Sequence, residues 1–218
     1  MILLSDSKAL LQTLRSANVP FAVVAVGRSV AEGISVHIHD FEAAAAMTRY
    51  LISLGHRQFG FIVGSPNHIS SFQRQAGFQA AMTEAGIGVR SEWIAQGAFS
   101  YRSGLVAAEQ ILSSARRPTA IFASNDDMAA ATIAVAHRMR INVPKELAVV
   151  GFDDTGLATT IWPTLTTVRQ PVAAIARKAV ELLLKEIRAR RRGETLGPIE
   201  QVLSFSLVER ESSAAIQS

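Results

Sequence analysis

Short, almost unbroken apolar runs recur along this 218-residue sequence and constrain its fold more than any other feature. The clearest of them cover residues 21–26, 59–63, 119–123 and 147–151. Strands that are buried on both faces have this unbroken pattern, whereas strands with one wet face alternate apolar and polar residues. The runs therefore predict a parallel sheet that is covered by helices on both sides.

Amphipathic helical patterns separate the apolar runs. In the first of them Ala44, Met47 and Leu51 share one face, Asp40 stands where an N-cap belongs, and Gly55 stands at the expected end. Similar patterns cover residues 71–85, 100–112 and 128–139, and a longer one starts at Pro171. Alternating strands and helices predict a doubly wound α/β fold with right-handed crossovers. The chain length suits two lobes of this kind.

Composition excludes several kinds of chemistry. The chain has no cysteine, which excludes disulfides, thiolate metal sites and a cysteine nucleophile and fits a reducing cytoplasm. No run reaches the ~20 apolar residues needed to cross a bilayer, and residues 1–5 do not resemble a signal peptide. We therefore expect a cytoplasmic protein without a membrane partner.

The net charge of +4 does not by itself indicate a nucleic-acid surface. Four arginines near one helix end, Arg188, Arg190, Arg191 and Arg192, carry as much positive charge as the whole excess. Because cations stabilise the carboxyl end of a helix dipole, the run is interpreted as a solvated helix end rather than as a DNA contact.

Polar residues follow each apolar run, and the ligand crevice of an open α/β sheet lies at these carboxyl ends of the strands. Phe99 follows a further short candidate strand, 93–96, and offers a flat apolar wall. Carboxylates and amides beside an aromatic face suit a polyhydroxyl ligand such as a sugar or nucleoside. The polar segments are Gly27-Arg28-Ser29, Gly64-Ser65, Ser124-Asn125-Asp126-Asp127 and Asp153-Asp154.

Enzymatic interpretations find less support in the sequence. It lacks the glycine-rich dinucleotide fingerprint, the phosphate-binding loop and the Gly-x-Ser-x-Gly nucleophile elbow. The paired aspartates, 126–127 and 153–154, could act as acid and base or bind magnesium, or they could cap the helices that follow. His37 and His39 could bind a metal, but no third ligand is close in sequence. We predict no catalytic residue, no metal site and no cofactor.

Motifs in a fixed order resemble the effector-binding domains of the LacI/GalR family of bacterial transcription regulators. The resemblance covers nearly the whole chain, and each motif is weak when taken singly. The motifs are Leu54-Gly55-His56-Arg57, Phe61-Ile62-Val63-Gly64, Arg74-Gln75-Ala76-Gly77-Phe78, residues 99–104, residues 118–126, Val143-Pro144, residues 149–154, residues 165–171 and residues 207–212.

The resemblance implies a periplasmic-binding-protein-like fold with two α/β lobes, three crossing strands and an effector in the cleft between the lobes. The N-terminal lobe would hold residues 1–55 and 169–195, and the C-terminal lobe residues 56–168 and 196–218. Residues 1–5 resemble the third strand of the usual first lobe. We therefore expect that lobe to be incomplete, with the DNA-binding headpiece and two strand-helix units absent.

Carried over position by position, the family's effector contacts fall on Asp40, Phe99, Asn125, Asp153 and Gln170. Phe99 would stack on the ligand, while the polar residues would bind hydroxyls or ring nitrogens. Helix caps and a core phenylalanine remain the alternatives for these positions. The chain departs from the sugar-binding pattern at Phe72, where an arginine is often found, and a second aromatic wall there would suit a more planar effector.

The expected function is therefore ligand binding and dimerisation in a repressor-type transcription regulator. Its partners would be a sugar or nucleoside-like effector, a second copy of the chain and, only through the absent headpiece, operator DNA. The alternative is a periplasmic solute-binding protein of the transport type, which shares the fold but would carry an export signal. A metal-dependent enzyme that uses the paired aspartates is a third hypothesis.

Overall fold

The apolar runs form strands and the amphipathic segments form helices in the computed structural model, which describes residues 1–3, 8–24, 33–194 and 196–216. The predicted polar segment Gly27-Arg28-Ser29 lies outside the described residues, as do Leu4 and Ser5 of the predicted first strand. The elements are, in chain order, β1 (Ile2–Leu3), α1 (Lys8–Ser16), β2 (Ala22–Val24), β3 (Ile34–His37), α2 (Asp40–Ser53), β4 (Phe59–Val63), α3 (Ile69–Glu84), β5 (Ile94–Gln96), α4 (Tyr101–Leu112), β6 (Ala120–Ala123), α5 (Asp126–Arg138), β7 (Ala148–Asp153), α6 (Leu157–Thr160), β8 (Thr166–Arg169), α7 (Val172–Arg191), β9 (Ile199–Val202) and β10 (Ser206–Val208), with a 3-10 turn at Ser91–Trp93 before β5.

The chain forms two units. Unit 1 comprises Met1–His39 and Pro171–Phe205, and unit 2 comprises Asp40–Gln170 and Ser206–Ser218. Both contain parallel sheets, so the predicted α/β class with two parallel-sheet lobes is confirmed. Among the described residues no helix combines the length and the apolar character needed to cross a bilayer.

The division between the units differs from the predicted boundaries at residues 169–170, which belong to unit 2, and in two larger segments. Residues 40–55 belong to unit 2, because α2 packs along α3. Residues 196–205 belong to unit 1, because β9 pairs in parallel with β3 at the edge of that sheet. Both differences arise from contacts between distant parts of the sequence, which a local apolar pattern does not specify.

Unit 1 contains a four-stranded parallel sheet in the order β1-β2-β3-β9. Its apolar residues Leu3, Leu11, Leu14, Phe21 and Val23 form one cluster between the sheet and α1. The long helix α7 also packs against β2 and β3. Its last turn carries Arg188, Arg190 and Arg191, as expected for cations at a helix carboxyl end.

Unit 2 contains a six-stranded sheet in the order β10-β8-β7-β6-β4-β5. All neighbours are parallel except β10, which pairs antiparallel with β8 at one edge. From β4 the chain continues to β5 on one side and then to β6 on the other. The direction in which successive strands are added to the sheet therefore reverses between β4 and β6. Ligands of open α/β sheets bind at such switch points.

Close packing around β4 fixes the helices that carry the candidate site. The rings of Phe61 and Phe78 stack with centroids 4.7 Å apart, and Phe122 meets Phe61 edge-on at 5.3 Å. A β-carbon on Gly77 would lie 2.1 Å from the backbone oxygen of Phe41. Glycine at position 77 therefore lets α2 and α3 approach closely, which sets where Asp40 and Arg74 meet.

Candidate functional site

Polar side chains from separate elements converge at the carboxyl edge of the unit 2 sheet. Asp40 begins α2, Arg74 lies on α3 after β4, and Phe99 follows β5. Asn125 follows β6, and Asp153 ends β7. The set therefore surrounds the switch point between β4 and β6, where the strand ends were expected to bring polar groups together.

The guanidinium of Arg74 is the centre of this set. Arg74 Nε donates to Asp40 Oδ1 at 2.7 Å, and its Nη1 donates to the Ser124 backbone oxygen at 2.6 Å. The same Nη1 lies 3.5 Å from Asp153 Oδ1. One buried cation thus holds two carboxylates and a strand-end carbonyl, which fixes the spacing of the three elements that carry them.

Aromatic rings flank this guanidinium. The Arg74 Cζ lies 3.6 Å from the centroid of Phe152 and 5.7 Å from that of Phe99. Both rings contribute cation–π attraction to a charge that burial otherwise disfavours. The rings and the two carboxylates together stabilise the buried guanidinium.

Phe99 lies directly over Gly64, the residue that follows β4. A β-carbon on Gly64 would be 2.2 Å from Phe99 Cζ and 2.5 Å from the hydroxyl of Ser71. Phe99 itself has φ +59°, a left-handed conformation that is uncommon for a non-glycine residue. The ring of His68 meets that of Phe99 edge-on, with centroids 5.7 Å apart. Phe99 is therefore half-buried and held in a defined orientation beside the polar set.

Asn125 is the N-cap of α5, which was the alternative interpretation of this residue. Its Oδ1 accepts from the backbone N–H of Met128 at 3.0 Å. Its Nδ2 donates to the backbone oxygen of Phe99 at 3.1 Å, so the same amide also holds the turn that presents the aromatic ring. Asn125 thus joins two parts of the site by capping a helix.

Asp153 and Gln170 meet directly. Gln170 Nε2 donates to Asp153 Oδ1 at 2.7 Å. Burial raises the pKa of Asp153, and the charge of Arg74 and the hydrogen bond from Gln170 oppose that rise. No described residue donates to Asp153 Oδ2, so this oxygen can accept a hydrogen bond from a ligand hydroxyl or N–H.

The neighbouring aspartate, Asp154, has a different role. Its Oδ2 pairs with Arg169 Nε at 2.5 Å and its Oδ1 with Arg210 Nη2 at 2.7 Å. Partial burial would raise the pKa of Asp154, but the hydrogen bonds and charges of Arg169 and Arg210 lower it overall. Asp153 and Asp154 are therefore not an acid and base pair that share one ligand.

The structure does not bring Phe72 into the set. Its side chain is 55% exposed, and it stands two positions before Arg74 on α3, where successive side chains point to different sides of the helix. The exposed ring gives no support to the predicted second aromatic wall.

Of the two histidines considered as metal ligands, His37 bonds to protein groups, while His39 is exposed and its ring centroid lies 6.2 Å from that of His37. His37 Nδ1 donates to the Ile38 backbone oxygen at 2.8 Å, and its Nε2 lies 2.9 Å from Glu200 Oε1. Within the described ranges no three side chains of histidine, cysteine, aspartate or glutamate are grouped closely enough to hold a metal ion.

Arg74 belongs to one of the family motifs but is not among the predicted effector contacts. A signal was available, because Ser71, Arg74 and Phe78 share one face of α3 at steps of three and four residues. A charged residue on an otherwise buried stripe needs a partner of opposite charge. Neither Asp40 nor Asp153 could be assigned as that partner from sequence spacing.

Comparison with known proteins identifies the family. The family described as periplasmic binding protein-like domain matches residues 48–213, about three quarters of the chain. The chain therefore belongs to this family, and its resemblance to LacI/GalR effector-binding domains is confirmed.

Similar curated proteins are transcriptional repressors. The repressor PurR of Erwinia tasmaniensis is 38% identical over 198 residues, which cover 90% of this chain and 57% of that protein. PurR of Pectobacterium carotovorum is 36% identical over 207 residues, which cover 94% and 59% respectively. The chain thus spans a little under three fifths of the length of the curated relatives that it matches.

Solved structures of transcription regulators share the fold. The complex of the transcriptional regulator CelR with cellobiose has a TM-score of 0.88 and 31% identity, covering 97% of this chain and 64% of that one. A LacI-type regulator from Bacillus cereus subsp. cytotoxis has a TM-score of 0.89 and 26% identity, covering 99% and 76%. A sugar-binding LacI-family regulator from Escherichia coli, solved with phosphate, has a TM-score of 0.83 and 26% identity, covering 98% and 76%.

Proposed function

We propose that this chain is the effector-binding region of a LacI/GalR-type transcriptional repressor and that it binds a sugar or nucleoside-like metabolite without chemical turnover. The observation that carries the proposal is the convergence of Asp40, Asp153 and Phe99 on the buried guanidinium of Arg74. Such a site presents a fixed carboxylate, a fixed cation and an aromatic face to one small molecule.

The available hydrogen-bonding groups favour a polyhydroxyl or ring-nitrogen ligand. Asp153 Oδ2 offers an acceptor for a hydroxyl or N–H group, and no described residue accepts a hydrogen bond from Arg74 Nη2. A ligand that pairs with both atoms would satisfy groups that are costly to leave unpaired. The relatives named as sugar-binding or as a cellobiose complex agree with this class of ligand.

The whole repressor would act as a cytoplasmic homodimer. Operator DNA would be bound by a headpiece outside these 218 residues, and the effector would shift the balance between lobe arrangements. The relatives named as transcriptional repressors support this assignment, and their names do not support an enzymatic function.

A thermal-shift screen tests the proposal. Cellobiose, other disaccharides, nucleosides and free nucleobases are each added to the purified chain. At about 100 times its Kd a ligand stabilises the folded state by about 2.7 kcal/mol, which raises the Tm of a chain of this size by roughly 5–10 °C. Chromatography of the recovered compound should show no product.

Variants locate the site. Asp153→Ala should abolish the thermal shift because it removes the free carboxylate oxygen. Asp153→Asn, which keeps the size of the side chain and tolerates the φ of +109° at this position, should weaken the shift. Asp127→Asn is the matched control, because Asp127 lies on the first turn of α5 and acts on Asp153 only through its charge, with no hydrogen bond to the set. Equal shifts in wild type and Asp153→Ala would reject this site, and product formation would reject the binding function.

A further inference from the structure

A further aspartate, Asp126, lies fully buried behind the candidate site. It is the first residue of α5 and has 0% exposed surface. Its Oδ2 accepts from the backbone N–H and the hydroxyl of Thr155, at 2.7 and 3.1 Å, and its Oδ1 accepts from the Thr167 hydroxyl at 2.6 Å. One carboxyl group therefore links the start of α5 to the turn after β7 and to β8.

The turn that Asp126 holds has an unusual backbone. Asp153 has φ +109° and Asp154 has φ +54°, and both values are uncommon for residues with a β-carbon. Such conformations persist where the surrounding contacts determine them. Arg169 and Arg210 hold the turn through the Asp154 side chain, and Asp126 holds it through Thr155, the next residue.

Asp126 also contacts Thr167 on β8, the strand that precedes Gln170. Thr167 lies on β8, three residues before Gln170, and Gln170 donates to Asp153. The Asp126 carboxyl group thus contacts both segments whose side chains meet in the hydrogen bond between Gln170 and Asp153.

We propose that Asp126 is a positioning residue for the effector site, whose buried carboxylate sets the relative placement of Asp153 and Gln170. The proposal rests on the proposed function in one respect, namely that Asp153 and Gln170 bind an effector. Their relative placement can be measured without an effector. Asp126 touches the site through Thr155 and Thr167 and does not form part of the ligand-binding surface.

The electrostatic setting makes this placement sensitive to pH. Burial raises the pKa of Asp126 to about 6, while its hydrogen bonds from Thr167 and Thr155 oppose the rise. The charged group that acts on it is Asp153 at the end of β7, whose negative charge raises the pKa further. The turn after β7 contributes the N–H and hydroxyl of Thr155, and β8 contributes the hydroxyl of Thr167.

A purely structural role would not require a carboxylate here. An asparagine has nearly the same shape, its oxygen could accept from Thr155, and its amide could donate to a rotated Thr167 hydroxyl. The buried ionised group is costly without a cationic partner. The property that a carboxylate has and an amide lacks at this position is a negative charge close to Asp153.

A pH titration by nuclear magnetic resonance tests the proposal on the intact chain without an added ligand. The backbone amide of Thr155 and the side-chain amide of Gln170 are followed between pH 4.5 and 7.5 in wild type, Asp126→Asn and Asp127→Asn. In wild type the Thr155 amide shift should change with a midpoint near 6. Gln170 should show a component with the same midpoint, in addition to any response to its direct partner Asp153.

Asp126→Asn should remove that component from both resonances, and Asp127→Asn should retain it. An unchanged Gln170 profile in a folded Asp126→Asn variant would overturn the proposal, as would the absence of any titration of the Thr155 amide in wild type. If Asp126→Asn does not fold, Thr167→Val removes one contact and leaves the carboxylate. The Gln170 resonance should then be displaced, and an undisplaced resonance would also reject the positioning role. A negative effector screen leaves these outcomes unaffected, so the two failures are distinguishable.

Discussion

Arg74 Nε lies 2.7 Å from Asp40 Oδ1, and the two side chains are only 5% and 2% exposed. The pair joins the start of α2 to the middle of the buried face of α3. A buried ion pair contributes little net stability when both partners are present, since desolvation offsets the attraction. Removal of one partner is costly because the other is left as an uncompensated buried charge.

We therefore expect Arg74→Met to destabilise the chain strongly. Methionine keeps the apolar contact with Phe152 but leaves Asp40 without its cation. The loss should be about 3–5 kcal/mol, the range measured when one member of a buried pair is removed. Urea denaturation followed by circular dichroism gives the free energy of unfolding of both proteins.

Arg49→Met provides the matched comparison. Arg49 pairs with Glu84 between the same two helices, but the side chains are 49% and 63% exposed. Exposed pairs contribute about 0–1 kcal/mol, so this variant should remain close to wild type. Similar losses in the free energy of unfolding would show that the buried Arg74–Asp40 pair matters no more for stability than the exposed Arg49–Glu84 pair.

Gly64→Ala should disturb the aromatic wall. The added methyl group would lie 2.2 Å from Phe99 Cζ, so the ring must move away. Overpacking of this kind costs about 1–3 kcal/mol, and the displaced ring should also abolish effector-induced thermal stabilisation. Thermal unfolding with and without a compound from the effector screen measures both effects.

Gly88→Ala controls for the general effect of replacing a glycine. A β-carbon at position 88 would meet no atom within 4 Å. The variant should match wild type in effector response and differ little in Tm. A Gly64→Ala protein that binds normally would show that the ligand does not use the Phe99 ring.

The fold could be predicted because its signals are local. The unbroken apolar run at 59–63 became β4 with the same bounds, and the polar residues after β6 and β7 do meet at one edge. Strand burial and helix periodicity depend on neighbouring residues, which the sequence displays directly. Phe99, Asn125 and Asp153 could be singled out for the same reason, since each lies at or just after the end of an apolar run. Asp40 and Gln170 were assigned to the site by the family resemblance, not by a local pattern.

The remaining features depend on contacts between distant residues. Arg74 meets Asp40 across 34 positions, and its partner carbonyl at Ser124 is 50 positions away. The pairing of β9 with β3 likewise joins segments that are far apart in sequence. Phe72 was selected by comparison with a family position, but only the helix geometry shows that its ring is exposed. Local patterns do not contain these relationships.

Variants of Asn125 distinguish its role as the N-cap of α5 from its support of the turn that carries Phe99. Asn125→Ser keeps an oxygen that can accept from the Met128 N–H, so stability should fall by less than about 1 kcal/mol. Asn125→Asp also keeps the cap but replaces the donor to the Phe99 oxygen with a second oxygen, which repels it. Thermal shift in the presence of an effector should decrease more in the aspartate variant than in the serine variant.

Effector responses in both Asn125 variants equal to that of wild type would show that the Nδ2 donor does not support Phe99. Asn125→Ala serves as the reference for a lost cap and should cost about 1 kcal/mol. Its effector response should exceed that of the aspartate variant, because alanine, like serine, removes the Nδ2 donor without adding repulsion.

Asp126→Asn should stabilise the chain at neutral pH and lose this advantage in acid. The pKa of Asp126 is about 6 in the folded chain against 3.8 for a free side chain, so the folded state holds its proton more tightly. Ionisation therefore costs stability progressively from about pH 4 to pH 6, reaching roughly 3 kcal/mol above that range. Asparagine does not ionise, and other titrating groups are common to both proteins. Urea denaturation at pH 4 and pH 7 measures the difference, and a difference independent of pH would contradict the raised pKa.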